Sequence, residues 1–501
     1  MTRARGIVAA AIGIALALGG VAGCAKQLRP VENLAPETYV FIQGPVDTVN
    51  HRVHMHWYGT DPDGEVVAYA FRWVYPPPAP QDVAWDTVLC AVTPRCTDSL
   101  FTMFTGDATL VNPRFEVFAI DNAGRPDPTP AAQSFLLSNA APTVRIDSPL
   151  GLTDTTYASV TVSWQTTDPD GGGPGLHYRI WLDGNEAVYD STSEQTFTVR
   201  SDRFLQDGTY RSGRRTLFVQ AVDDGGSSGP PTSMTWHVRA PAAVLEDNRG
   251  RLLVLDEVPS TGANNYLFDG FYKSIADLLP AGTYDVLRPQ FNPRMFRSEA
   301  DFAQTLQQFQ AVLWYRGGET TVSSLLWAYQ GSIGAYLDAG GKIYLDGLYL
   351  IEGLRTPGAL PEEFVPRHLG STALLNCFAR IGNGPADSTA GWSFDEDRRF
   401  RSSVYGESFS ALVGPFMMTN ATGGVRGFAV TDTSLVALWA MDGQLDPPNT
   451  GYEVPVGVTV PQPGGGRIVL LSFPVRFAAP AVATRLMRRM LYDFGIGIPL
   501  P

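Results

Sequence analysis

The chain has 501 residues, 44% of them apolar and 17% charged, with a net charge of −13. That balance fits a globular protein of roughly three domains at ~100–200 residues each and excludes a disordered chain. It carries no basic stripe to neutralise phosphates, which argues against nucleic-acid binding. Only Lys26, Lys273 and Lys342 are lysine among 37 basic residues, and a GC-rich genome explains that bias without an arginine-specific role.

At the start, Arg3 and Arg5 precede an uncharged apolar run from Gly6 to Gly20, then Val21-Ala22-Gly23-Cys24. This resembles a bacterial lipoprotein signal peptide, residues 1–23, ending in a lipobox. The resemblance implies that Cys24 receives diacylglycerol and becomes the mature N-terminus. The protein would then be anchored to the membrane, not threaded through it. Ala25, in place of aspartate, resembles an outer-membrane sorting signal, so the expected address is the bacterial cell envelope, at the outer membrane. The competing reading is an ordinary transmembrane anchor with a chance cysteine. No other stretch is long and apolar enough to cross a bilayer. Residues 24–38 carry Pro30 and Pro36, lack a hydrophobic period and read as a tether.

A repeat of about a hundred residues follows. Trp57 to Gly64 (WYGTDPDG) returns as Trp164 to Gly171 (WQTTDPDG), and Phe115 to Asp121 returns as Leu217 to Asp223. Val53, Met55 and Trp57 alternate, as do Val160, Val162 and Trp164, which is the period of a strand with one buried face. Short strands, turn signals and an early tryptophan predict two all-β sandwiches, 39–140 and 141–240. Both resemble fibronectin type III or immunoglobulin-like modules of bacterial surface proteins, a likeness of architecture that implies no activity. Cys90 and Cys96 lie close together, and in an oxidising envelope they predict a disulfide across a hairpin loop. Asp61 and Asp63, and Asp168 and Asp170, allow two readings. Beside proline and glycine they build a tight turn; joined by Asp121 or Asp223, they could contribute to a Ca²⁺ site. The turn is favoured, and no cofactor is expected apart from that calcium alternative. Tyr69, Trp73, Tyr178 and Trp181 read as core and flank residues.

From Arg251 the pattern changes. Leu252–Asp256 is a buried strand, Asn265–Leu279 a helix, Tyr284–Leu287 a strand, and Ser298–Phe309 a helix with Ser298 and Asp301 as capping residues. Ala311–Tyr315 and Ile343–Leu345 are strands around one helix, on which Leu325, Leu326, Tyr329, Ile333, Tyr336 and Leu337 share a face. An insertion of about 351–466 follows. Its strands Leu435–Trp439 and Val454–Val460 lead through a hairpin-like Pro461–Gly466 to Arg467–Phe473. Pro480–Phe494 closes as a helix. Alternating strand and helix predicts an α/β three-layer domain, 241–501, with a mostly parallel sheet.

This domain resembles the class I glutamine amidotransferase-like superfamily, flavodoxin-like in topology. The likeness rests on Leu252–Asp256, Val312–Glu319 with its Gly-Gly, Gly340–Gly347 and Ile468–Pro474. Catalytic members place a cysteine after the strand matching Ile343–Leu345 and a histidine after the last strand. Here Asp346-Gly347-Leu348-Tyr349 and Phe473-Pro474-Val475 stand instead. A thiolate nucleophile needs an activating base, and neither is present. His368, in the insertion, is the domain's only histidine. Cys377 reads as a structural thiol and Asp395-Glu396-Asp397 as a solvated face. A ligand crevice is expected at the carboxyl ends of the strands, among Asp256, Glu257, Arg316, Glu319, Asp346 and Tyr349. The chain therefore reads as a non-catalytic envelope lipoprotein that presents this domain to a protein or glycan. The alternative is a hydrolase of glycan or amide substrates using those carboxylates.

Overall fold

The computed structural model describes residues 32–42, 49–77, 79, 82–93, 96–107, 110–147, 150–151, 154–169, 175–242, 245, 247–258, 265–289, 296–317, 324–347, 350, 364–376, 399–402, 407–410, 426–441, 453–478 and 480–500. Cys24, Asp170, Glu319, Tyr349, Cys377 and Asp395–Asp397 lie outside them. The chain forms two compact units. The first holds 1–142, 168–176 and 222–228; the second holds 143–167, 177–221 and 229–501.

In the first unit, seven strands form two antiparallel sheets. Strands β1 (Glu37–Ile42), β2 (Arg52–Thr60), β3 (Val66–Val74), β4 (Asp86–Leu89), β5 (Asp98–Thr102), β6 (Arg114–Asp121) and β7 (Ala131–Ser134) pair in the orders β1-β2-β5 and β4-β3-β6-β7. Period-two alternation turns Val53, Met55 and Trp57 inward onto Tyr69, Phe115, Val117 and Ala119. The Cys90–Cys96 disulfide closes the loop between β4 and β5, with Cα atoms 5.0 Å apart. Trp57 Nε1 donates to the Cys96 carbonyl at 2.9 Å, tying that loop to the core.

The repeat gives a second sandwich. Strands β8 (Thr143–Ile146), β9 (Val160–Thr167), β10 (His177–Leu182), β11 (Asp190–Thr192), β12 (Thr196–Val199), β13 (Gly213–Val222) and β14 (Thr232–Val238) pair as β8-β9-β12 and as β14-β13-β10-β11, the latter edged by Thr155–Thr156. Trp164, Tyr178, Leu217 and Trp236 fill its core.

The rest of the second unit centres on one nine-stranded sheet. Its elements begin with β15 (Gly250–Asp256), α1 (Asn265–Ala276), β16 (Tyr284–Leu287), α2 (Glu299–Gln307), β17 (Phe309–Tyr315), α3 (Ser324–Ala328), α4 (Gln330–Asp338) and β18 (Lys342–Asp346). They continue with α5 (Phe364–Leu369), β19 (Ser371–Asn376), β20 (Arg399–Ser402), β21 (Glu407–Ser410), β22 (Arg426–Val430), β23 (Val436–Met441), β24 (Glu453–Pro461), β25 (Arg467–Leu471) and α6 (Pro480–Tyr492). The order is β16-β15-β17-β18-β25-β24-β23-β20-β21. The first five strands run parallel, whereas β25, β24, β23, β20 and β21 join antiparallel. The sheet is therefore mixed, not mostly parallel as the alternation suggests. The short link after Pro461 can only return the chain antiparallel, since a parallel neighbour needs a crossover of a dozen residues or more.

Alternate residues of the parallel strands feed two separate cores. Leu252, Val254, Leu313, Tyr344 and Val469 pack with Tyr272 and Ile275 of α1 and Leu486, Met487 and Met490 of α6. Leu253, Leu255, Val312, Trp314, Ile343 and Leu345 pack with Phe302 and Leu306 of α2 and Ile333 and Leu337 of α4. The single helix expected around Tyr329 is two, because Tyr329 leaves helical geometry at φ −124° and ψ 30°. Gly334, in α4, lets buried His368 approach: a Cβ there would sit 2.7 Å from its Nε2. His368 Nδ1 is 2.8 Å from Gln462 Oε1, so the domain's one histidine is a packing residue.

Several described contacts join the second sandwich to this sheet and its helices, among them Ala158 N–H to Gln308 Oε1 at 3.2 Å and Ser201 N–H to Gln304 Oε1 at 3.0 Å, and a buried set centres on Asp301. Ser298 caps α2, accepting from Asp301 N–H at 3.2 Å. Buried Asp301 accepts from Ser159 Oγ at 2.9 Å, Thr161 N–H at 2.9 Å and Arg297 N–H at 3.2 Å. Thr161 Oγ1 lies 2.6 Å from Ser298 Oγ. Tyr157, next to the sandwich's edge strand, belongs to the α2/α4 core, its ring edge-on to Phe309 at 5.3 Å.

Candidate functional site

The carboxyl ends of β15, β17 and β18 carry Asp256, Tyr315 and Asp346, which stand side by side in register. Neighbours in register point to one face, here the α1 face. Asp346 is 0% exposed. Tyr272 O–H donates to its two oxygens at 2.6 and 2.5 Å, Tyr344 O–H to Oδ2 at 2.7 Å, and Val475 N–H to Oδ2 at 3.0 Å. Burial pushes the Asp346 carboxyl up to about 7, against the pull of those donors.

Asp256 is held by a second network. Its oxygens accept from Arg288 Nε at 2.8 Å and Val258 N–H at 3.0 Å. Arg288 also reaches Asp269 at 3.0 Å, and Asp269 accepts from Tyr315 O–H at 3.1 Å. Burial raises Asp256 to about 6, with Arg288 opposing it. The two networks touch where Tyr272 stacks on Tyr315, centroids 4.1 Å apart. Burial raises both phenols well above the usual tyrosine range, so each keeps the proton that it donates.

Glu257 and Arg316 turn to the opposite face. Glu257 Oε2 accepts from Trp314 Nε1 at 3.0 Å, and Arg316 Nε lies 3.9 Å from the same oxygen. The four described members of the expected crevice thus divide between two faces of the sheet and do not surround one cavity. The reason is parity: one residue further along a strand is the other side of the sheet. Chemically, a carboxylate with no exposed surface and every oxygen engaged can neither meet a substrate nor exchange a proton with one. Tyr272 and Tyr344 escape notice in the sequence because each occupies an apolar position of its element.

The aspartate turns are also on view. Asp61 Oδ1 accepts from Asp63 N–H at 3.3 Å, and both Asp63 oxygens accept from Leu34 N–H at 3.2 Å. A Cβ on Gly64 would meet Asp61 Oδ2 at 2.5 Å and Asn122 Oδ1 at 2.8 Å, so a larger residue there would have to displace both side-chain ends. Asp121 accepts from Ala123 and Arg125 N–H, each at 2.8 Å, and from Asn33 at 2.6 Å. Asp223 accepts from Ser227 N–H at 2.8 Å, the same device in the repeat. Among the described residues, Asp61, Asp63, Asp121, Asp168 and Asp223 do not gather three ligand atoms in one place; His54, His56 and Asp98 do.

No family model matches the chain, and comparison with curated proteins yields no match. Solved structures similar to it include fibronectin(III)-like modules of CbhA from Clostridium thermocellum. These are 16% identical, over 40% of this chain and 94% of that one, with a TM-score of 0.19. The chicken CNTN1 FN1–FN3 domains are 17% identical over 41% of this chain and 68% of that one, TM-score 0.18. A tetra-tandem repeat from the extending region of a large adhesion protein is 16% identical over 40% and 48%, TM-score 0.19. Among the described residues no helix is long and apolar enough to cross a membrane.

Proposed function

We propose that the chain is a non-catalytic, lipid-anchored protein of the bacterial envelope. In this reading two β-sandwich modules, 39–140 and 141–240, hold a three-layer α/β domain, 241–501, of class I amidotransferase-like ancestry, which binds a protein or glycan. The strand order of the parallel half, second-first-third-fourth-fifth in chain order, is that of flavodoxin-like sheets and supports the ancestry. The observation that carries the non-catalytic reading is Asp346. It stands where that superfamily sets its nucleophile, and its carboxyl is sealed by Tyr272, Tyr344 and Val475.

The full chain, assayed against glutamine and against amide and ester substrates, is expected to give no turnover above the blank. Removing triad members from such enzymes costs several powers of ten in rate. Turnover that Cys377→Ala abolishes would overturn the reading in favour of thiol chemistry. Turnover that survives Cys377→Ala would favour the carboxylate hydrolase.

The anchor has its own test, motivated by Val21-Ala22-Gly23-Cys24. Labelled palmitate should enter the wild-type chain in a bacterial host and not Cys24→Ser. Equal labelling of both chains would remove the lipid anchor from the proposal.

A further inference from the structure

His54 and His56 lie two residues apart on β2, so both rings stand on the outer face of the first sandwich, opposite to Val53, Met55 and Trp57. Strand pairing sets Asp98 of β5 directly across from His56. Ligand atoms of the three side chains all fall within 4.8 Å of one another. His54 Nε2 lies 3.2 Å from Asp98 Oδ2, and the two imidazoles pack with centroids 4.3 Å apart. His56 Nε2 is withdrawn from solvent yet has no hydrogen-bond partner among the described residues. A buried polar atom left unmatched is costly, and a metal ion would match it.

We propose that His54, His56 and Asp98 form a binding site for a first-row transition metal of the zinc class. Two imidazoles and one carboxylate are the donor set of such ions; calcium and magnesium favour oxygen alone. The site has the plan of an open zinc centre, with three protein ligands and a fourth position left for water or for a donor group of a bound molecule. That position would open on an apolar face. Phe41 stacks on His56 at 5.4 Å and Tyr39 on Tyr58 at 4.9 Å, and Tyr39, Phe41, Tyr58 and Leu100 are exposed. His54, 47% exposed, leaves an entry path for the ion. The site is independent of the amidotransferase-like domain and stands whether or not that domain is catalytic.

The test is Zn²⁺ titration of the full chain, carrying no histidine tag and stripped with chelator, followed by calorimetry. Uptake of one Zn²⁺ per chain is expected, undisturbed by excess Ca²⁺ or Mg²⁺. His56→Ala should weaken it by ~100-fold or more, since even outer-shell changes cost 10–100-fold. Co²⁺ should give the visible absorption of a four-coordinate site in the wild type and in His177→Gln, and lose it in His54→Ala. Circular dichroism and melting in chelator report whether each variant keeps its fold, and Asp98→Asn serves if a histidine variant does not. Absence of stoichiometric uptake by the wild type would overturn the proposal. So would uptake that persists unchanged in the folded His54→Ala/His56→Ala chain, or an ion held only as tightly as Ca²⁺.

Discussion

Asp346→Val will destabilise the second unit by about 3–5 kcal/mol. The substitution leaves Tyr272 O–H, Tyr344 O–H and Val475 N–H buried without their acceptor. Each stranded donor costs about 1–3 kcal/mol, and the three are not additive because they share one partner. The native carboxyl also writes a pH dependence into the fold. Its pKa is about 7 in the folded chain against 3.8 for an ordinary aspartate, so between those values the folded chain holds a proton that the unfolded chain has released. Stability from this group is therefore fully present below about pH 4 and is lost as pH rises through 7, with a limiting slope of ~1.4 kcal/mol per pH unit. Asp256, raised to about 6, acts with the same sign and ends one unit lower. Urea unfolding followed from pH 5 to pH 8 should show wild-type stability falling, and Asp346→Asn should flatten the part of the fall nearest pH 7. A wild-type curve that rises over that window would show that the carboxyl is held as an anion and that the network is misread.

Asp301→Ala is expected to uncouple the second sandwich from the sheet behind it, at a cost of about 3 kcal/mol. Asp301 is 2% exposed and takes hydrogen bonds from the sandwich through Ser159 and Thr161 and from Arg297 N–H, just ahead of the cap of its own helix. Two backbone N–H groups, both partly buried, lose their acceptor at once. Because Tyr157 lies inside the α2/α4 core, the wild-type unit should melt as one cooperative transition. In the variant, scanning calorimetry should resolve two, the earlier of them well below the wild-type melt. A single transition at an unchanged temperature would show that the junction rests on Tyr157 and on the Ala158 N–H to Gln308 Oε1 hydrogen bond, and not on Asp301.

Much of this architecture is legible from the residues. The Trp57 and Trp164 repeat locates both sandwiches because period two and turn chemistry are local signals. Ser298 and Asp301 announce the start of α2, since a capping serine and its N–H partner are three residues apart. What the sequence conceals is cross-chain partnership. Asp346 looks like a free acid at a strand end until Tyr272, 74 positions away, closes over it. His54 and His56 do leave a trace, alternating with Val53, Met55 and Trp57, but nothing local points to Asp98 as their neighbour. Likewise Asp301 reads as a capping acid, and only folding reveals that Ser159 and Thr161 claim its carboxylate. The short link after Pro461 does state that β24 and β25 are antiparallel, but the direction of β23, β20 and β21 is hidden for a related reason: a strand run states that it pairs, not in which direction.

The place of β25 in the sheet has a consequence for how the polypeptide is assembled. Its pairing with β18, from Lys342↔Arg467 to Asp346↔Leu471, joins neighbours separated by roughly 120 residues. During synthesis the sandwiches, built largely from nearer strand pairs, can close while the ribosome is still adding the last quarter of the chain. The parallel strands β16, β15, β17 and β18 must wait, with the β18 edge bare, until Leu471 arrives, and Val475 and α6 come later still. A nascent or prematurely terminated chain ending before Arg467 would thus expose the apolar edge of β18, an unpaired edge of the kind that seeds aggregation. The order of translation leaves this domain dependent on the segment from Arg467 onward, and a holdase bound to the waiting edge would be the natural protection against misassembly.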